Sequence, residues 1–145
     1  MKSFEYNGIE IPKLGLGTWK SKGQDCQNAV CEGLKMGYRH IDTAQIYDNE
    51  EAVGAGIDDS GVTRSDIFLT TKVWRDKVGK SDLKNSVEES LRKLKTDYLD
   101  LLLLHWPVND VPLEEQLEAL QNVQKQGLTK LIGVSNYPVD LLKRV

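Results

Sequence analysis

Four side chains of the kinds that move protons each follow a short apolar run. Asp42 closes Arg39-His40-Ile41-Asp42, and Tyr47 closes Ala44-Gln45-Ile46-Tyr47. Lys72 ends Phe68-Leu69-Thr70-Thr71-Lys72, and His105 follows the four leucines from Leu101 to Leu104. Ser135 and Asn136 stand in the same relation to Leu131-Ile132-Gly133-Val134. A carboxylate, a phenol, an ammonium and an imidazole are the parts of a general acid–base site. Taken singly, each has an ordinary role. An Asp after a strand forms turns or caps a helix, and a loop tyrosine packs its ring with the hydroxyl in water. A lysine ends a strand in solvent, and a histidine satisfies itself in the core. The pattern, not any one residue, carries the chemistry.

The pattern recurs at intervals of about 30 residues, the length of one strand-plus-helix unit in a parallel α/β fold. Polar groups at the carboxyl ends of successive parallel strands are where a (β/α)₈ barrel keeps its active site. Alternation along such strands puts His40 and Asp42, Thr70 and Lys72, and Leu103 and His105 on the inner face. A lysine there is costly unless paired, and Asp42 is the nearest partner. Such a pair sets positive charge against the Tyr47 phenolate and readies the phenol to give up its proton.

Taken in order, residues 4–11 form a β-hairpin turning on Asn7-Gly8. Phe4, Tyr6, Ile9 and Ile11 share its one apolar face. Strands are expected at 13–18, 38–42, 66–74, 98–104 and 128–134. Helices are expected at 24–36 (Cys26, Val30 and Leu34 on one face), 49–60, from Ser81 through Leu94, from Pro112 to Gly127, and 139–145. Asn49 and Ser81 are placed as side-chain N-caps, and Pro112 at the first helical position. Gly15-Leu16-Gly17 is not a dinucleotide fingerprint, because Lys20 stands where its third glycine belongs.

These residues also carry a resemblance. Asp42, Tyr47, Lys72 and His105, with Gly15-Leu16-Gly17-Thr18-Trp19 before them and Gly133-Val134-Ser135-Asn136 after, resemble the aldo-keto reductase superfamily from about Ile11 to the last residue. The resemblance implies an α/β fold of TIM type, a parallel (β/α) barrel whose amino-terminal end is capped by the hairpin. It implies reduction of aldehydes or ketones to alcohols by a nicotinamide cofactor. In that chemistry Tyr47 protonates the alkoxide, Lys72 held by Asp42 tunes Tyr47, and His105 orients the carbonyl. Thr18, Asp42, Ser135 and Asn136 would contact the cofactor, NADP(H) or NAD(H). Trp19, Trp74 and Trp106, each just beyond a strand end, would wall the substrate pocket with His105. The resemblance implies no metal.

At 145 residues the chain reads as a single domain, residues 1–145. It holds about five of the eight strand–helix units of a barrel that typically takes about 250 residues. The missing part then belongs to a longer reductase, or a second copy completes the sheet. The non-catalytic alternative is a half-barrel that recruits a partner through its open edges. A net charge of −3 gives no electrostatic case for nucleic acid or an anionic membrane. Cys26 and Cys31 match neither a redox pair nor a zinc site, and the first residues lack an apolar signal core. A cytoplasmic location is expected.

Overall fold

The computed structural model describes residues 2–145. Two strands, β1 (Ser3–Tyr6) and β2 (Ile9–Pro12), make the expected hairpin, with Phe4 opposite Ile11 and Tyr6 opposite Ile9. Asn7 and Gly8 both take positive φ, 50° and 75°, as this two-residue turn requires. The apolar face is only partly covered. Phe4 and Tyr6 are 49% and 56% exposed, and Ile9 and Ile11 are half-buried. The hairpin stands off the sheet: a cavity of about 660 Å³ separates it from Arg39, Ile67, Phe68 and Lys130.

The second sheet is parallel and holds β3 (Leu16–Gly17), β4 (His40–Asp42), β5 (Phe68–Val73), β6 (Leu99–Leu104) and β7 (Thr129–Val134). Its spatial order follows the chain, β3-β4-β5-β6-β7. That order is a barrel wall; a doubly wound sheet would reverse direction partway. Between the strands run α1 (Gly23–Lys35), α2 (Glu50–Ser60), α3 (Lys80–Leu94) and α4 (Leu113–Lys125), and α5 (Val139–Leu142) follows β7. Strand β3 is shorter than the expected 13–18. Gly15 runs so close to β4 that a Cβ there would stand 3.1 Å from the His40 ring, and the chain bends where regular pairing would begin.

Register sorts the side chains into two faces, because paired residues of a parallel sheet point the same way. Gly17, Asp42, Thr70, Leu101 and Leu131 lie across one row, with Lys72, Leu103 and Gly133 in the next. Residues of the alternate rows, among them Ile41, Leu69, Leu102 and Leu104, are fully buried against the helices. Val30, Leu34, Val53, Leu83, Val87, Leu120 and Val123 meet them from the helix layer. The concave row is less covered, and Leu101 and Leu103 are half-buried.

Helix ends differ from expectation in four places, one of them the end of α5, which stops at Leu142 rather than running to 145. Ser81 lies inside α3, whose N-cap is Gly79, because the Leu83 amide already closes a turn on the Gly79 carbonyl at 2.8 Å. Pro112 is the N-cap of α4 rather than its first residue: its ψ of 138° is extended, and its carbonyl accepts from the Gln116 amide. Asn49 caps α2 by its carbonyl alone, while its side chain turns inward. Helix α1 matches the expected span within a residue, with Cys26, Val30 and Leu34 buried and Gly37 at φ 103° behind it. No helix among the described residues is long and apolar enough to cross a membrane.

Truncating Leu102 should therefore cost far more than truncating Leu101 one position earlier. Leu102→Ala is expected to lower the free energy of unfolding by about 2–5 kcal/mol, and Leu101→Ala by clearly less, in urea titrations followed by circular dichroism.

Candidate active site

Lys72 lies in β5, paired on both sides, and its side chain is 8% exposed. A buried ammonium needs partners for its charge and its hydrogens. Its Nζ sits 2.6 Å from Asp42 Oδ1 and donates to the Thr43 carbonyl at 2.9 Å. Both partners follow from the register: Asp42 pairs with Thr70, one pleat below Lys72, so the lysine leans across to the end of β4. Tyr47 reaches the same place from a 3₁₀ turn over Gln45–Tyr47. The Lys72 Nζ stands 5.2 Å from the centre of the Tyr47 ring.

His105 follows β6 directly, its amide donating to the Val73 carbonyl at 3.1 Å. Its ring meets Tyr47 edge-on at 5.7 Å and Trp74 edge-on at 5.3 Å. Burial pushes the His105 imidazole below its ordinary pKa, and the Lys72 charge pushes the same way, against a smaller opposing pull from Asp42. The ring is neutral at pH 7. Its Nδ1 is buried with no hydrogen-bond partner, the one such buried side-chain atom among the described residues. The four residues expected to act together are thus brought together.

A clamp that sequence reasoning missed holds the loop beneath them. Asn49, 4% exposed, accepts from the Thr43 hydroxyl at 2.8 Å and donates to the Thr18 and Ser21 carbonyls at 2.8 and 2.9 Å. Thr43 also gives its amide to Thr70 at 2.9 Å. The carbonyl that receives Lys72 is therefore fixed from two sides. Thr18 is buried, and its amide and hydroxyl both go to the Asp42 carbonyl, at 3.0 and 3.2 Å. Its visible work is to tie the end of β3 to β4. Glu50, in the first turn of α2, is buried as well, behind β5. Glu50, Val53 and Ile57 fall on one helical face, a spacing that could have shown the glutamate pointing inward.

Beyond β7, Ser135 is half-buried and Asn136 exposed, with Asn136 at a positive φ of 62°. Asn136 Nδ2 donates to the His105 carbonyl at 2.9 Å and to Ser135 Oγ at 3.0 Å, joining this loop to the one carrying His105. The Ser135 hydroxyl hydrogen and Asn136 Oδ1 remain as one donor and one acceptor. That pair matches a carboxamide, which offers one acceptor and a donor group, so these residues fit a nicotinamide. Of the three tryptophans, Trp74 alone touches the cluster. Trp19 and Trp106 are 68% and 43% exposed, and Trp19 carries Lys20 over its ring at 4.6 Å. Among the described residues no group of three or more His, Cys, Asp or Glu side chains could hold a metal ion.

An in-order parallel sheet with these polar groups gathered beyond its strand ends is part of the wall of a TIM-type barrel. The model of the Aldo/keto reductase family matches residues 13–145, and the chain belongs to that family. It is 48% identical over 138 residues to the methylglyoxal reductase DkgB of Escherichia coli O157:H7, covering 94% of this chain and 52% of the relative. It is 44% identical over 141 residues to the glyoxal reductase of Bacillus subtilis, covering 97% and 51%. The crystal structure of a Bombyx mori aldo-keto reductase in complex with NADP matches with a TM-score of 0.93 at 36% identity, covering 99% of this chain and 53% of that one. The chain spans about half the length of the curated relatives it matches.

A histidine whose pKa is depressed by folding binds its proton more readily in the unfolded chain. Its contribution to stability is full above the unfolded value of 6.5 and is lost as pH falls through the lower folded value. His105→Asn should therefore flatten the loss of stability between about pH 7.5 and about pH 5, read as the urea midpoint at each pH.

Proposed function

We propose NAD(P)H-dependent reduction of aldehydes and ketones to alcohols, with Tyr47 as proton donor. The observation that carries the reading is the Lys72–Asp42 pair at 2.6 Å, with the Lys72 ammonium over the Tyr47 ring and His105 against its edge. A nicotinamide cofactor, when bound, supplies the hydride. Tyr47 delivers the proton to the alkoxide oxygen, and Lys72 stabilises the phenolate that remains. Asp42 keeps the ammonium in place through both states. His105, as a neutral imidazole, hydrogen-bonds the carbonyl oxygen and aims it at Tyr47.

Ser135 and Asn136 would hold the nicotinamide carboxamide, and Thr18 and Asp42 would shape the wall beside it. NADP(H) is the favoured form, supported by the NADP complex of the Bombyx mori relative, with NAD(H) the alternative. The names of the Escherichia coli and Bacillus subtilis relatives support small dicarbonyl aldehydes of the methylglyoxal and glyoxal class as substrates. Trp19, Trp74 and Trp106 would form the apolar walls around them. Residues 1–145 form one partial barrel domain in this reading, and further strands pair beside β7, the last strand in the sheet order.

That edge also supports a second reading, in which a half-barrel recruits another chain and performs no chemistry. An NADPH titration followed by tryptophan quenching separates the two, since only the reductase must bind the cofactor. The decisive variant is Tyr47→Phe. It is expected to lower kcat for methylglyoxal by about 10²- to 10⁴-fold, read as NADPH consumption, with the NADPH dissociation constant unchanged. Retained turnover would remove Tyr47 from its role.

A further inference from the structure

Behind β5 lies a second polar cluster that the proposed chemistry does not use. Glu50, Thr71 and Ser90 are 4%, 0% and 1% exposed. Glu50 Oε1 accepts from the Thr71 hydroxyl at 2.6 Å, and its Oε2 accepts from the Ser90 hydroxyl at 3.1 Å. Ser90 Oγ in turn accepts from Gln45 Nε2 at 3.1 Å, which also donates to the Ser86 carbonyl at 3.2 Å. Gln45 Oε1 accepts from the Trp74 backbone amide at 2.9 Å. One continuous chain therefore runs from Thr71 through Glu50, Ser90 and Gln45 to Trp74.

The chain has a direction, on which Glu50, the Ser86 carbonyl and the Trp74 N–H agree. A carboxylate only accepts, so both hydroxyls give it their hydrogens. The Ser90 oxygen can then serve Gln45 only as an acceptor. That turns the Gln45 amide nitrogen toward Ser90 and its oxygen toward the Trp74 N–H. The two ends of the chain, Thr71 and Trp74, bracket Lys72 on its own strand. Gln45 opens the 3₁₀ turn that Tyr47 closes. A buried polar chain is worse than an apolar core unless every member is satisfied, and these members are.

We propose that Gln45 is a positioning residue: oriented by the Ser86 carbonyl, the Ser90 hydroxyl and the Trp74 amide, it locks the turn bearing Tyr47 to the strand end bearing Lys72 and Trp74. The inference rests on the reading of Tyr47 as proton donor. Without the lock the turn can shift against β5, and the phenol leaves its place beside the ammonium.

The test uses the protein as its gene encodes it. Gln45→Met keeps the side-chain length and removes all three amide hydrogen bonds. Hydrogen exchange at the Trp74 amide should then accelerate by about tenfold or more. The kcat for methylglyoxal should fall by about ten- to a hundredfold, while the NADPH dissociation constant stays within about twofold. Ser90→Ala removes one of the two acceptors that hold the Gln45 amide nitrogen and should move both readouts the same way by a smaller factor, which keeps the test decisive where the methionine variant does not fold. Gln45→Glu sets a carboxylate against the acceptor-only Ser90 oxygen and should also fail.

Unchanged Trp74 exchange in both Gln45→Met and Ser90→Ala overturns the proposal. So does faster exchange with unchanged kcat, which would make the chain a structural tie only. The exchange readout does not depend on the role of Tyr47, so failure of that role, seen in Tyr47→Phe, is distinguishable from failure of this lock.

Discussion

The ammonium of Lys72 is the constraint on which the rest of the structure turns. It stands almost wholly buried in a strand paired on both sides, where an unpartnered charge would be prohibitive. Asp42 and the Thr43 carbonyl meet it, and both belong to the end of β4. Slipping β4 by one residue against β5 would turn Asp42 toward the helices and leave the charge alone. The need of one lysine thus specifies a strand register, the course of the following loop, and the place where Tyr47 can rest. Removing one partner of such a pair is far more damaging than never having had it.

The start of α2 is where these demands are reconciled. Two neighbouring side chains there point to different parts of the molecule. Asn49 reaches forward to Thr18, Ser21 and Thr43, tying the first two loops of the mouth together. Glu50 reaches back to Thr71 and Ser90, tying the helix layer to β5. Burial raises the pKa of the Glu50 carboxyl against the two hydroxyls that stabilise its charge, so the link is held at some cost in stability. Polar groups of this kind specify one arrangement where apolar packing alone would accept several.

The two faces of the parallel sheet are unequally covered, and that inequality follows from the number of strands. Five strands give the helices a complete surface to pack on, and the buried rows of β4, β5 and β6 belong to that interface. The concave rows have no equal cover, so Leu101 and Leu103 stay half-buried, and the hairpin leaves a cavity beneath it. The polar cluster gathers on this concave side, at the carboxyl ends of the strands. There the ion pair, the Tyr47 and His105 rings and Trp74 fill the space between them.

Much of this was legible in the residues alone. Apolar runs bounded by glycines marked the strands and helices, and the hairpin turn and its register followed from Asn7-Gly8. The regular spacing of Asp42, Lys72 and His105 on successive strands was enough to place them at one end of a parallel sheet. The side-chain roles at α2 were not legible. Asn49 and Glu50 have the composition of a good helix start, and local propensity offers them the solvent. Tertiary contact overrides it, because the carbonyls of Thr18 and Ser21 and the hydroxyls of Thr71 and Ser90 lie far off in sequence and need partners where water is excluded. Exposure escaped as well: Phe4, Tyr6, Trp19 and Trp106 have the types of buried residues, and how much of each is covered depends on what stands opposite. Periodicity and turn chemistry act within a few residues, so the sequence by itself determined the elements, their order and the end at which the polar residues gather. Pairings between distant groups and the coverage of each face are set only when the strands are laid side by side, and those the tertiary structure decided.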